Sequence, residues 1–157
     1  MRKLLSGGLV IFGVVSFPTP LSPRLTAERS HHEYRNDPRL TPLRQFFDRG
    51  DCPAAEYAVE FLRVADQYAL DWRLLPSLSF IESTGGKASP NNNLFGWDSG
   101  RAHFDSPMDA IRSVGYNLAE SALYRSKSVD EILAIYNPNV DYAQKVKSVM
   151  RRIASVQ

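Results

Sequence analysis

Phe80-Ile-Glu-Ser-Thr-Gly-Gly-Lys-Ala-Ser-Pro-Asn-Asn-Asn-Leu-Phe-Gly-Trp97 is the stretch that decides this chain. An apolar helical run ends on one carboxylate, Glu82, and stops at once in Ser-Thr-Gly-Gly. A short polar loop follows, then an aromatic-glycine-aromatic element, Phe95-Gly96-Trp97. A carboxyl group where a buried helix opens into a cleft suits a glycosidase general acid. Partial desolvation there is expected to raise its pKa, so that it still carries a proton near neutral pH.

Upstream of this stretch, Leu74, Leu75, Leu78 and Ile81 form the apolar stripe of a helix predicted from Trp72 to Glu82, with Asp71 as its N-cap. Pro76, one turn in, is expected to bend that helix or tighten its start. Before it, Pro53 opens a helix to about Ala69, with Ala54, Ala58, Phe61, Leu62 and Ala65 on one face. Thr41-Pro42 marks the predicted start of the ordered part, ahead of Leu43, Phe46 and Phe47. Downstream, Ser106-Pro107 with Asp109 starts a helix in the Ser-x-x-acid manner. Ser128 and Glu131 form a capping box for a short helix ending near Tyr136. Asn137-Pro138-Asn139 breaks it, and a last helix carries Tyr142, Val146, Val149, Met150 and Ile153 at helical spacing. Five or six helices result, with almost no strand signal outside residues 94–105. The fold class expected is α+β, mostly helical, with a small irregular lobe where the chemistry sits.

Length and composition bound the rest. The 157 residues suffice for one core and fall short of two ordinary domains. Apolar and charged fractions of 43% and 23% are those of a globular protein. Three of the 19 Lys and Arg (Arg2, Lys3, Arg24) precede residue 28, leaving 16 against 17 acids. That balance gives no reason to expect a nucleic-acid partner. Arg2-Lys3 followed by uncharged Leu4–Phe17 has the form of an export signal, assigned to residues 1–27, too short to span a bilayer comfortably. A secreted or periplasmic protein, with no membrane span after signal cleavage, follows as the expectation. Residues 28–40 are expected to be a flexible spacer, and 41–157 the folded domain. His31-His32 falls in the spacer with no Cys or carboxylate at ligand spacing, so no metal is assigned. Cys52 is the single cysteine and excludes an internal disulfide.

Several other residues could carry chemistry. Asn91-Asn92-Asn93 can offer amides to sugar hydroxyl and N-acetyl groups, or simply form a turn. Phe95 is expected in the core, and Trp97 at the cleft, where its face suits a pyranose ring. Paired acids drive most glycosidases. Asp98 and Asp105 are the candidates for a second acid, although Asp98-Ser99-Gly100 is also a natural tight turn and Asp105 precedes a helix cap. Without a second acid, the substrate's own acetamido oxygen could attack the anomeric carbon. Tyr136 either hydrogen-bonds near the cleft or packs. Tyr142, grouped with Lys145 and Lys147, receives no role.

The ordered set A-L-D-W-R-L-L-P, I-E-S-T-G-G-K, N-N-N-L-F-G-W, F-D-S-P-M-D-A-I and I-Y-N-P-N-V-D-Y-A-Q-K-V resembles the glucosaminidase domain of bacterial peptidoglycan hydrolases. These are the mannosyl-glycoprotein endo-β-N-acetylglucosaminidase-like domains, which include autolysins and flagellar muramidases. The resemblance covers roughly Pro53 to Ile153. It implies a lysozyme-like fold with a cleft between a helical main lobe and a small lobe. It further implies that Glu82 is the general acid, that Tyr136 lies by the cleft and matters for activity, and that Asn92, Asn93, Phe95, Gly96 and Trp97 bind substrate. The family's second acid varies, which leaves Asp98 and Asp105 open. The chain lacks the cell-wall binding repeats of such enzymes, and Pro76 departs from the pattern. The expected protein is a monomeric, exported hydrolase of β-1,4 bonds in peptidoglycan glycan strands, without cofactor. A lytic transglycosylase forming anhydro sugars and a non-catalytic glycan-binding module are its rivals.

Overall fold

A computed structural model of the chain describes residues 34–156. The expected signal, residues 1–27, and the first part of the expected spacer lie outside the described residues. Six α-helices have both ends within them. These are α1 (Leu40–Asp48), α2 (Ala58–Gln67), α3 (Leu74–Ser83), α4 (Pro107–Glu120), α5 (Val129–Tyr136) and α6 (Val140–Ala154). Two 3₁₀ turns, Pro53–Tyr57 and Pro90–Asn92, complete the regular structure. α3 packs most extensively on α6, α2 on α4, and α1 on α2 and α6. Their apolar faces close one core that includes Leu43, Phe47, Phe61, Leu78, Ile111 and Val146.

The helix starts written locally in the sequence are found in place. Ser106 accepts the Asp109 N–H at 3.1 Å. Ser128 and Glu131 exchange both bonds of a capping box. Asn139 caps α6 by accepting the Asp141 N–H.

Two expectations shift. Asp71 is not the N-cap of α3: its Oδ1 accepts the Arg73 N–H at 3.0 Å in a preceding turn, and the helix begins at Leu74. The reason is Pro76. As the third helical residue it belongs to the first turn, where no N–H has an intrahelical partner, so it fits without bending the helix. The ordered part also begins earlier than residue 41. Tyr34 donates to Asp66 at 2.8 Å, and Arg39 bridges Asp37 and Asp66, pinning residues 34–40 to α2.

The expected β component is absent: no strand occurs among the described residues. Residues 84–105 instead fold as consecutive turns, with left-handed backbone at Thr84, Asn91, Asn92, Gly96, Asp98, Ser99 and Gly100. Extended ladders cannot accommodate so many positive φ angles. The described fold is therefore mostly helical, and one irregular segment bridges α3 and α4.

Candidate active site

Glu82 sits in the last turn of α3. Thr84 ends the helix in the left-handed region (φ 54°), and the Gly85 N–H reaches back six residues to Ser79 O at 3.0 Å. Gly85 is required there, since a Cβ would stand 2.8 Å from Cys52 Cβ. The buried Ser83 hydroxyl lies 2.9 Å from Ser79 O and 2.8 Å from Leu94 O, and accepts the Gly86 N–H. This tie fixes the Leu94–Trp97 segment against the end of α3, next to Glu82.

The Glu82 carboxylate is held from both sides. Tyr142 donates its hydroxyl to Oε1 at 2.6 Å. Oε2 lies against Gly96, where a Cβ would stand only 2.8 Å away. Gly96 also has φ +58°, so close approach and backbone conformation both call for glycine. The expected partial burial is not found, because Glu82 is exposed. Its position in the last turn of α3 leaves the carboxylate outside the core, and the Tyr142 hydrogen bond orients it against the bare face of Gly96 instead. A phenol can donate to a carboxylate or accept from a carboxylic acid, so the Tyr142 contact serves either protonation state.

An aromatic wall continues from this point. Tyr142 and Tyr136 stack at 6.1 Å with rings 10° apart. Tyr136 meets Trp97 edge-on at 5.8 Å, and Trp97 lies 6.2 Å from Tyr124. Burial, joined by the hydrogen bond to Glu82, holds the Tyr142 hydroxyl far above the usual phenol range. Tyr136 is likewise raised, by burial and then by the Glu82 charge. Both phenols therefore stay protonated in neutral solution. Beside the wall lies a groove of ≈ 420 Å³ lined by Gly96, Trp97, Asp98, Ser99, Leu123, Tyr124 and Tyr136. Two other hollows, beside Phe46 and Arg152 and beside Pro38 and Trp72, have no carboxylate in their lining.

The expected site residues divide into those facing the groove and those building it. Trp97 is half-buried and lines the groove, while Phe95 is fully buried and belongs to the core. Phe95 thus has no surface for a glycan, and its carbonyl accepts the Tyr136 hydroxyl. Asn93 is 3% exposed, and its amide brackets Trp97, accepting from its N–H at 2.9 Å and donating to its carbonyl at 3.0 Å. Asn92 donates to Phe104 O. For Asn93, buried and bonded at both ends of its amide, direct sugar contact gives way to a scaffolding role, while Asn92 is half-buried and engages the turn through its Nδ2 alone. Asp98 lines the groove but pairs with Arg101 at 2.7 Å. Asp105 is exposed and does not line it.

Tyr142 is the residue that sequence reasoning passed over. Its signal was its place on the apolar face of α6 with Val146, Val149 and Ile153, the face that packs on α3. Among the described residues, no group of three or more His, Cys, Asp or Glu is placed to hold a metal ion. No described helix is long and apolar enough to cross a membrane. Comparisons with family models, curated proteins and solved structures return no match.

Proposed function

We propose that this chain is an exported glycoside hydrolase acting on β-1,4 bonds between N-acetylated amino sugars of peptidoglycan, with Glu82 as general acid. The observation that carries the reading is the placement of Glu82. One carboxylate, bonded by Tyr142 and lying against Gly96, stands at the head of an aromatic wall; it does not itself line the groove and adjoins it through Gly96 and Tyr136, which do. Glycosidic cleavage asks for a positioned acid and an apolar face for the pyranose ring, and this arrangement supplies both. Glu82 protonates the leaving oxygen, while Trp97 and Tyr136 orient the ring.

The second half of the reaction needs a base or an internal nucleophile. Asp98 lines the groove and pairs with Arg101 in an exposed ion pair, which leaves it available as the second acid. Without it, the substrate's acetamido oxygen attacks the anomeric carbon and water then hydrolyses the product. A single positioned acid, Glu82, also suits a second reading, closure to an anhydro sugar by a lytic transglycosylase.

The test uses purified protein on isolated peptidoglycan. The wild type should clear it, and Glu82→Gln should abolish clearing with an unchanged circular dichroism spectrum. Mass spectrometry of the released fragments then decides the chemistry, since hydrolysis leaves reducing ends and transglycosylation leaves anhydro ends. Equal clearing by the Gln variant refutes the assignment. Binding without clearing by the wild type identifies a glycan-binding module instead.

A further inference from the structure

The C-terminal ends of α1 and α6 meet at a hollow of ≈ 230 Å³ whose lining includes Phe46, Arg49, Phe80, Arg152 and Ser155. It shares no residue with the groove beside Trp97. Arg152 lies about 15 Å along α6 from Tyr142 by helical rise. Phe80 precedes Glu82 by two residues on α3, and side chains so spaced do not share a helix face. The Arg152 guanidinium is held over the rings of Phe46 and Phe80, 5.4 and 5.7 Å from their centroids. Ring contacts of this kind fix a cation without occupying its N–H donors. Ser155 donates to Arg152 O at 3.0 Å and closes the turn behind it. Arg39, Arg63, Arg73, Arg101 and Arg112 each pair with a carboxylate, whereas Arg49 and Arg152 pair with none among the described residues. Cations at helix C-termini offset the macrodipole, which accounts for one arginine at each end but not for two on one concave surface. Each guanidinium brings a full charge against about half a charge from its helix end, so the hollow stays net positive. Its volume is below that of a pocket for a whole drug-sized ligand and suits a small charged group.

We infer that Arg49 and Arg152 form a second, non-catalytic binding site that takes an oxyanion, a carboxylate or a phosphate, carried by the wall polymer on which the protein acts. The identity of that polymer rests on the function proposed above, while the affinity of the hollow for an oxyanion does not. Guanidinium groups match both anions through paired N–H donors, so the chemistry is shared and the source is a peptide carboxylate of peptidoglycan or a phosphodiester attached to it. Engagement away from Glu82 tethers the protein to the polymer, and the next sugar bond then meets the groove at a raised effective concentration.

The test is co-sedimentation of the Glu82→Gln protein with isolated insoluble cell wall, which needs no turnover. Adding Arg49→Gln or Arg152→Gln should weaken binding by about tenfold each. Arg151→Gln is the matched control: it removes the same charge from the neighbouring exposed position of α6, outside the hollow, and should change binding by less than about twofold. Inorganic phosphate should raise the Tm of the parent over chloride at equal ionic strength, and should not raise that of the double arginine variant. Amidating the wall carboxylates removes the arginine-dependent binding if the anion is a carboxylate, and stripping phosphodiesters with hydrofluoric acid removes it if the anion is a phosphate. Should Arg152→Gln fail to fold, Arg49→Gln decides. Equal losses in all three single variants mean net charge alone and overturn the inference, as does no loss in any. If the wild type clears peptidoglycan and binding shows no dependence on Arg49 or Arg152, the second site falls alone. If phosphate raises the Tm through the two arginines and the wild type clears nothing, the hydrolase reading falls and the oxyanion site stands.

Discussion

Gly96→Ala tests whether the fixed carboxylate is the working part of the site. An added Cβ would stand 2.8 Å from Glu82 Oε2 and 3.6 Å from its carboxyl carbon. Glu82 is exposed at a helix end, so the carboxylate can swing away rather than unfold the protein. The stability cost is then chiefly that of an L-residue in left-handed backbone, about 1–2 kcal/mol, or roughly 3–10 °C in Tm. Activity should suffer more, because a displacement of about 1 Å at a catalytic group is worth around a hundredfold. Gly100→Ala is the matched control. It has φ +81° but no atom within 4 Å of its added Cβ, so it carries backbone strain without touching Glu82. Both variants should melt lower by similar amounts in calorimetry, and only Gly96→Ala should lose turnover on peptidoglycan. Full activity in Gly96→Ala, or parallel activity loss in both, would refute the claim that Gly96 seats the carboxylate.

Tyr142→Phe should keep its stacking on Tyr136 and its fold. It should lower kcat/KM by about tenfold, the low end for a hydrogen bond to a charged group because water can replace the phenol on an exposed acid; wild-type rates would sink the positioning role. Gly115→Ala places a Cβ 2.2 Å from Val64 Cγ1 between α4 and α2. Overpacking of about 1–3 kcal/mol should outweigh roughly 1 kcal/mol of improved helix propensity, and urea titration should show partial relief in the Gly115→Ala, Val64→Ala pair. The protein should also be acid-sensitive. Asp37 and Asp66 are held low by hydrogen bonds from Arg39, and at Glu60 and Asp71 burial pushes upward but arginine hydrogen bonds prevail. Carboxylates depressed in the folded form stabilise it above their unfolded values of 3.8 and 4.5, and that contribution is lost as pH falls through the lower folded values. A Tm that stays flat from pH 6 to 2.5 would contradict it. Finally, turnover per bond should rise with oligosaccharide length, measured on a chitin series, until the chain covers Glu82.

How much of this was legible in the sequence depends on how far each signal reaches along the chain. Ser106 and Ser128 reveal their helices because a cap and its N–H partner lie three residues apart, a relation the sequence displays directly. Glu82 is likewise marked by the apolar run before it and the Gly pair after it. Tyr142 is sixty residues from the carboxylate it touches, and the two meet only when α6 packs on α3. Nothing local distinguishes it from a core tyrosine. Asn93 misleads for a related reason. An amide suits a sugar and a turn equally well, and Asn93 chooses the turn because Trp97 needs both of its backbone groups satisfied beside a buried core. The β expectation for residues 94–105 failed because Asn, Asp and Ser at positive φ can replace glycine in a chain of turns.

The exposure of Glu82 reshapes the argument about its proton. A general acid is usually tuned by burial, and burial of the whole residue is missing here. The protein instead fixes direction: Tyr142 and Gly96 set where the carboxyl points, and the Tyr136 bond to Phe95 O fixes the backbone that carries Gly96. On the proposed function, low dielectric arrives with the ligand. A glycan lying along Trp97 and Tyr136 would cover the open side of the carboxylate, so desolvation and substrate binding become one event. On the proposed function, remote sugar contacts such as Trp97 and Tyr136 would help drive proton transfer as well as binding. Removing them should therefore lower kcat along with affinity, whereas a residue that only gripped the ground state would alter affinity alone.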